Sequence, residues 1–207
     1  MRYLAIACVL IVGCDGGEPP DDMCRINAHC TPLDGPPPID AGAGPDGATP
    51  DGPPATADQA LCDAINQYRA QNGLGAIPTS AGLGRVARFH VEDLEANQPA
   101  AGCNLHSWSF DDPRWTGCCY TPDHAQAQCM WDKPREISSY SSAGYEISAG
   151  GGGGITPAQA ISLWNGSPGH RDVILNAGTW ANRTWRGIGC AIEGGHANVW
   201  FGELAGQ

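Results

Sequence analysis

The sequence predicts a mixed α/β domain, helices packed against a small antiparallel sheet, and three observations predict it. Two segments soon after residue 56 carry apolar residues at helical spacing. The last stretch, 186–204, holds two alternating runs joined by Gly194-Gly195. Between them lies a segment rich in Trp and Cys that keeps neither period.

The first helix opens at Thr56-Ala57-Asp58-Gln59, a capping-box pattern, places Leu61, Ile65 and Tyr68 on one stripe and stops near Gly73. The second begins at Thr79 or Ser80 and runs Leu83, Val86, Ala87, His90, Val91, Leu94 along one face. From Asn104 to Gly144 the pattern predicts a loop layer held by Cys103, Cys118, Cys119 and Cys129. Gly150 to Gly154 reads as a flexible turn. Thr156-Pro157-Ala158-Gln159 repeats the cap logic before a short helix that turns Ile161 and Trp164 inward, with proline where its missing N–H costs nothing. A further short helix starts at Ser167-Pro168 and ends near Leu175. Arg186–Ile192 and His196–Leu204 form the terminal hairpin, with Trp200 and Phe201 on opposite faces.

The N-terminus sets the compartment. Arg2 followed by the apolar run Leu4 to Val12 is too short to span a membrane and reads as a signal h-region. Ile11-Val12-Gly13-Cys14 resembles the bacterial lipobox, which predicts a signal over residues 1–13 and a lipid on Cys14; the alternative is an ordinary secretory signal. Residues 14–55 are acidic and rich in Pro and Gly, with almost nothing apolar to bury, and read as a disordered tether. Residues 56–207 suit one domain. Localisation follows: the bacterial cell envelope or outer surface, held to the membrane through Cys14, or secretion if the lipid is absent.

Cysteine usage agrees with export. Setting aside Cys8 and Cys14 leaves Cys24, Cys30, Cys62, Cys103, Cys118, Cys119, Cys129 and Cys190, an even set whose default reading is disulfides. The pairing stays open, except that the neighbours Cys118 and Cys119 should bond different partners. The formal charge is -11, and Lys133 is the one lysine, so nucleic acid is not an expected partner.

Several motifs occur together in order over residues 57–204. They are Ile65-Asn66-x-x-Arg69, Ala87-Arg88-x-His90-x-x-Asp93-Leu94, His106-Ser107, Gly144-Tyr145-Glu146-Ile147, Trp164-Asn165-Gly166-Ser167-Pro168-Gly169-His170-Arg171 and Gly187-Ile188-Gly189-Cys190. The set resembles the CAP superfamily, or SCP domain, on its bacterial branch. That resemblance implies a three-layer α-β-α sandwich with an open cleft lined by two His and one or two acids. It also implies zinc binding in some members, sterol or lipid binding in others, and claimed protease activity in a few. Carried over by residue, the cleft set is His106, Glu146 and His170, and these are the expected Zn2+ ligands. Two departures stand out: no acid follows Trp164, and Glu146 lacks the Asn that the family places after it.

Each candidate carries its own chemistry. His170 near a helix N-terminus is expected to be neutral, which suits a ligand or base. His106 sits in a stapled loop, a rigid place from which to aim a ligand. Glu146 beside apolar neighbours needs a partner and is the one catalytic suspect if the protein is an enzyme. His90, on the apolar stripe, is a secondary cleft candidate. Ser167 is read as a helix cap, and neither G-x-S-x-G nor H-E-x-x-H occurs. Trp108, Trp115, Trp131 and Tyr140 are read either as a glycan or lipid platform or as core for a thin layer. Three functions compete: a binding module whose cleft takes a small ligand or divalent metal, with lipid, glycan or protein as partner; a zinc-dependent hydrolase or protease using the same cleft; and a purely structural surface domain.

Overall fold

A computed structural model of the chain describes residues 56–150 and 152–206. The signal over 1–13, the lipid on Cys14, the tether over 14–55 and the cysteines Cys24 and Cys30 lie outside the described residues.

Helix α1 (Ala57–Gln71) starts where expected, with the Thr56 hydroxyl accepting from the Gln59 N–H. The box is only half built, because the Gln59 side chain turns forward to Asp63, 2.8 Å away. Leu61 and Ile65 are fully buried. Arg69 is buried too, with no carboxylate as partner among the described residues. It donates to the carbonyls of Gly75 and Ile174 and to Asn176 Oδ1, the last two at the negative end of a later helix. Helix α2 (Ala81–Ala96) is capped by Ser80, and its whole predicted stripe, His90 included, is buried.

Three strands form one antiparallel sheet: β1 (Tyr145–Gly150), β2 (Gly187–Glu193) and β3 (His196–Gly202), in the order β1-β3-β2. The predicted hairpin is β2–β3; β1 is an added edge strand with Glu146 opposite Trp200 and Ser148 opposite Asn198. Alternation along the strands divides the side chains between two cores. Ile147, Val199, Phe201 and Ile188 face α1 and the helices α5 (Pro157–Asn165) and α6 (Pro168–Leu175). Ala191 and Trp200 face α2. Sheet between helical layers is the three-layer α-β-α arrangement. Gly189 makes the α2 layer close: a Cβ there would collide with the α2 backbone at Leu83 and Gly84.

The Trp- and Cys-rich insert is mostly loop, as its lost periodicity implies, but it also contains α3 (Ala127–Trp131) and α4 (Lys133–Ile137). Cys103 bonds Cys119 and Cys118 bonds Cys129, so the neighbouring cysteines do take different partners. Cys62 bonds Cys190 and ties α1 to β2. Trp108, Trp115 and Tyr140 are buried and Trp131 is partly covered, so these four are core of the insert and not a surface platform. Lys133 is buried as well, its ammonium donating to Thr116 O and to Glu136 Oε2.

Candidate functional site

The site lies where α2 crosses the sheet. Because successive strand residues point to opposite faces, Glu146 on β1 and Asn198 on β3 turn away from the α1 core and toward α2. His90 descends onto them from α2. Its Nδ1 is 2.7 Å from Glu146 Oε1, and Asn198 Nδ2 donates to the same oxygen. Both side chains of the His90–Glu146 pair are fully buried. On its other side His90 Nε2 lies 3.0 Å from the Ser107 carbonyl, and its ring stacks on Trp108 with centroids 4.3 Å apart.

This pattern fixes protons. A carbonyl oxygen only accepts, so His90 Nε2 carries hydrogen. His90 Nδ1 faces Glu146 Oε1 and, at 3.2 Å, the Asn198 amide nitrogen, so one proton lies in the contact between imidazole and carboxyl. Burial alone would push the Glu146 carboxyl up. The imidazoles of His90 and then His106 outweigh it and hold it at about 2.

The second oxygen of Glu146 faces the cleft histidine. His106 Nδ1 lies 3.3 Å from Glu146 Oε2, in contact but not aligned as a hydrogen bond, and neither atom has another partner. A proton on Nδ1 satisfies both and leaves the lone pair on Nε2. His106 Nδ1 is buried while 17 % of the side chain is exposed, so the exposed edge is the opposite one. His170, on α6, has its ring centroid 6.1 Å from that of His106. Its Nδ1 is held by Ser167 Oγ at 2.8 Å. Ser167 therefore makes no side-chain cap and serves to orient the imidazole. Burial, then His106, lowers the His170 pKa against a smaller opposing pull from Glu146. The direction is the one that the helix-end argument expected, but burial leads it, not the helix end.

Sequence reasoning brought His106, Glu146 and His170 together, and they do meet. It did not foresee their order. Glu146 stands behind His106 with its side chain fully buried, and does not line up beside the two imidazoles as a third ligand. Among the described residues no three His, Cys, Asp or Glu side chains are grouped to hold a metal ion. A three-ligand Zn2+ centre of His106, His170 and Glu146 therefore does not fit this geometry; what remains is two imidazoles, centroids 6.1 Å apart, whose Nε2 atoms have no hydrogen-bond partner among the described residues. The same burial keeps Glu146 from reaching a water in the cleft as a base.

Three participants were missed. Asn198 completes the Glu146 shell. Tyr120, whose ring is 5.1 Å from that of His106, has its phenol raised by burial and by Glu146, so its hydroxyl keeps its proton. That hydroxyl is 2.8 Å from Nδ1 of His124, an exposed residue with φ of 59° in the turn before α3. The one signal for this pair was the adjacent Cys118-Cys119, which marks Tyr120 as the start of a fixed turn. His90, secondary by sequence, is the central partner of Glu146.

Comparison with known proteins follows the same outline. The family model described as the cysteine-rich secretory protein family, CAP, matches residues 62–202. No curated protein sequence matches the chain. Among solved structures it is similar to an outer surface protein of Borrelia burgdorferi, with 18% identity and a TM-score of 0.45 over 69% of this chain and 89% of that one. It is similar to a cysteine-rich secretory protein of Staphylococcus aureus, with 15% identity and a TM-score of 0.44 over 70% and 37% of the two chains. It is similar also to an extracellular SCP-domain protein of Bacillus anthracis, with 16% identity and a TM-score of 0.47 over 72% and 40%. The chain thus spans well under half the length of the last two.

Proposed function

The chain belongs to the cysteine-rich secretory protein (CAP) family, and from that premise we propose that it is an extracytoplasmic binding module whose cleft takes a small ligand or a divalent ion between His106 and His170. The observation that carries this is the paired orientation of the two imidazoles. Each has its inner Nδ1 engaged, His106 against Glu146 and His170 against Ser167, and each keeps Nε2 for a ligand. Carboxylate behind histidine is the arrangement that fixes a tautomer and raises ligand basicity. A Zn2+ ion held there would rest on two protein nitrogens, with its other positions left to solvent or to a bound molecule.

The hydrolase reading has less support, because the Glu146 carboxylate is buried in an ion pair and no other acid of the described residues stands in its place. Three disulfides among the described residues support an oxidising compartment. Attachment to the envelope through Cys14 belongs to the same proposal; no described helix is long and apolar enough to cross a membrane.

Calorimetric titration of Zn2+ into the oxidised full chain at neutral pH, beside His170→Ala, tests the cleft. One-to-one binding that is lost in the variant is expected. Absent heat, or binding indifferent to His170, would remove the metal from the proposal and with it the observation that carries the cleft.

A further inference from the structure

The insert builds a second concavity that none of His106, Glu146 and His170 lines. It encloses about 200 Å3 between the C-terminal end of α2 and the loop from Ser107 to Asp111, with Trp108, Cys103 and Cys118 among its lining residues. Its rim carries the largest exposed apolar side chain among the described residues, Phe110, 69% exposed.

An exposed phenylalanine is unremarked when it is loose, but this one is held. Gly117 lies directly beneath it, and a Cβ there would collide with the Phe110 ring and with its Cα. The backbone on either side is fixed by paired hydrogen bonds between Trp108 and Cys118, at 2.8 and 2.9 Å, and by the Cys118–Cys129 disulfide. Ser109 N–H donates to buried Asp93 at 2.8 Å, which locks the loop to α2. The backbone that carries the ring is thus set in place before any ligand arrives, which limits the entropy lost on binding.

Planar polar groups line the same pocket. Asn97 gives its amide N–H to Asp93, and its Oδ1 has no partner among the described residues. Gln98 and Asp111 are exposed, line the same pocket and make no side-chain hydrogen bond among the described residues. No Arg, Lys or His lines it, and two carboxylates do, which argues against an anion. A cation cage would need more than one exposed aromatic face. A lipid chain would need a longer and drier groove than this small, polar-rimmed hollow. A neutral sugar ring fits each feature: one apolar face for Phe110, and hydroxyls for Asn97, Gln98 and Asp111.

We propose that Phe110, with Asn97, Gln98 and Asp111, forms a binding site for one neutral sugar residue, separate from the histidine cleft. The oxidised full chain, titrated with triacetylchitotriose, cellotriose and maltotriose, tests it by ligand-observed NMR and by the fluorescence of pocket-lining Trp108. At least one trisaccharide is expected to bind in the millimolar range or tighter. Phe110→Ala, which removes a side chain mostly in solvent, should weaken that binding by about tenfold or more. Gln98→Ala and Asp111→Ala should each weaken it several-fold, and His170→Ala should leave it unchanged, which separates this site from the cleft. Saturable binding by none of the three sugars, or binding untouched by Phe110→Ala in a chain whose near-ultraviolet dichroism is native, would overturn the proposal.

Discussion

Replacing Glu146 with alanine is expected to cost about 3–5 kcal/mol of folding free energy, measured by urea unfolding of the oxidised chain. The size follows from what remains. His90 is fully buried, its two ring nitrogens face Glu146 and the Ser107 carbonyl, and without the carboxyl the inner nitrogen loses its buried partner. Asn198 loses its acceptor at the same stroke. Glu146→Gln keeps the volume and an acceptor and should cost less. The pH dependence separates the two causes. A carboxyl held at about 2 in the folded state, against 4.5 when free, stabilises the fold fully above its free value. That contribution is lost as pH falls from about 4.5 toward 2, because the unfolded chain then binds the proton first. The native chain should show this acid-side loss, and Glu146→Ala should lack it.

Removing the Cys62–Cys190 bridge by a double alanine substitution is expected to be comparably severe. The bond closes a loop with a sequence separation of 128, for which chain entropy gives about 5 kcal/mol. The Cys103–Cys119 bond closes only 16, for which the same argument gives about 3 kcal/mol. Cys62 and Cys190 are also buried in the core between α1 and β2, so their loss adds unfilled space. Denaturant midpoints for the two double variants should fall in that order. Equal loss, or a larger effect from the short loop, would contradict it.

How much of this was readable from the chain differs by element. Helix α2 was legible in full, since six buried side chains recur at one spacing and Ser80 starts it. The α5 start was legible because Thr156, Pro157 and Gln159 form a complete local device, and the structure closes both arms of it. The hairpin was legible from alternation and Gly194-Gly195. Strand β1 was not assigned as a strand. Its partner is β3, about fifty residues on, and nothing local records that Glu146 will face Trp200. The candidate site shows the same divide. His106, Glu146 and His170 could be picked out by motif, whereas the role of each depends on which face of the sheet α2 covers. Spacing put His90 on the inner face of α2, but only the crossing of α2 over β1 and β3 sets it against Glu146. Ser167 was read as a cap from its position before proline, and the imidazole one turn later claimed its hydroxyl instead. Disulfide pairing was equally non-local, apart from the separation of Cys118 from Cys119.

Glu146 holds His90 on one side and orients His106 on the other. Nitrogen-15 NMR of histidine-labelled protein at neutral pH, assigned with single His variants, reads all three at once through the ring-nitrogen shifts. The result predicted is hydrogen on Nε2 of His90 and on Nδ1 of His106. A bare Nε2 on His90 would contradict its bond to the Ser107 carbonyl, and a proton on Nε2 of His106 would leave that nitrogen no lone pair to offer a ligand.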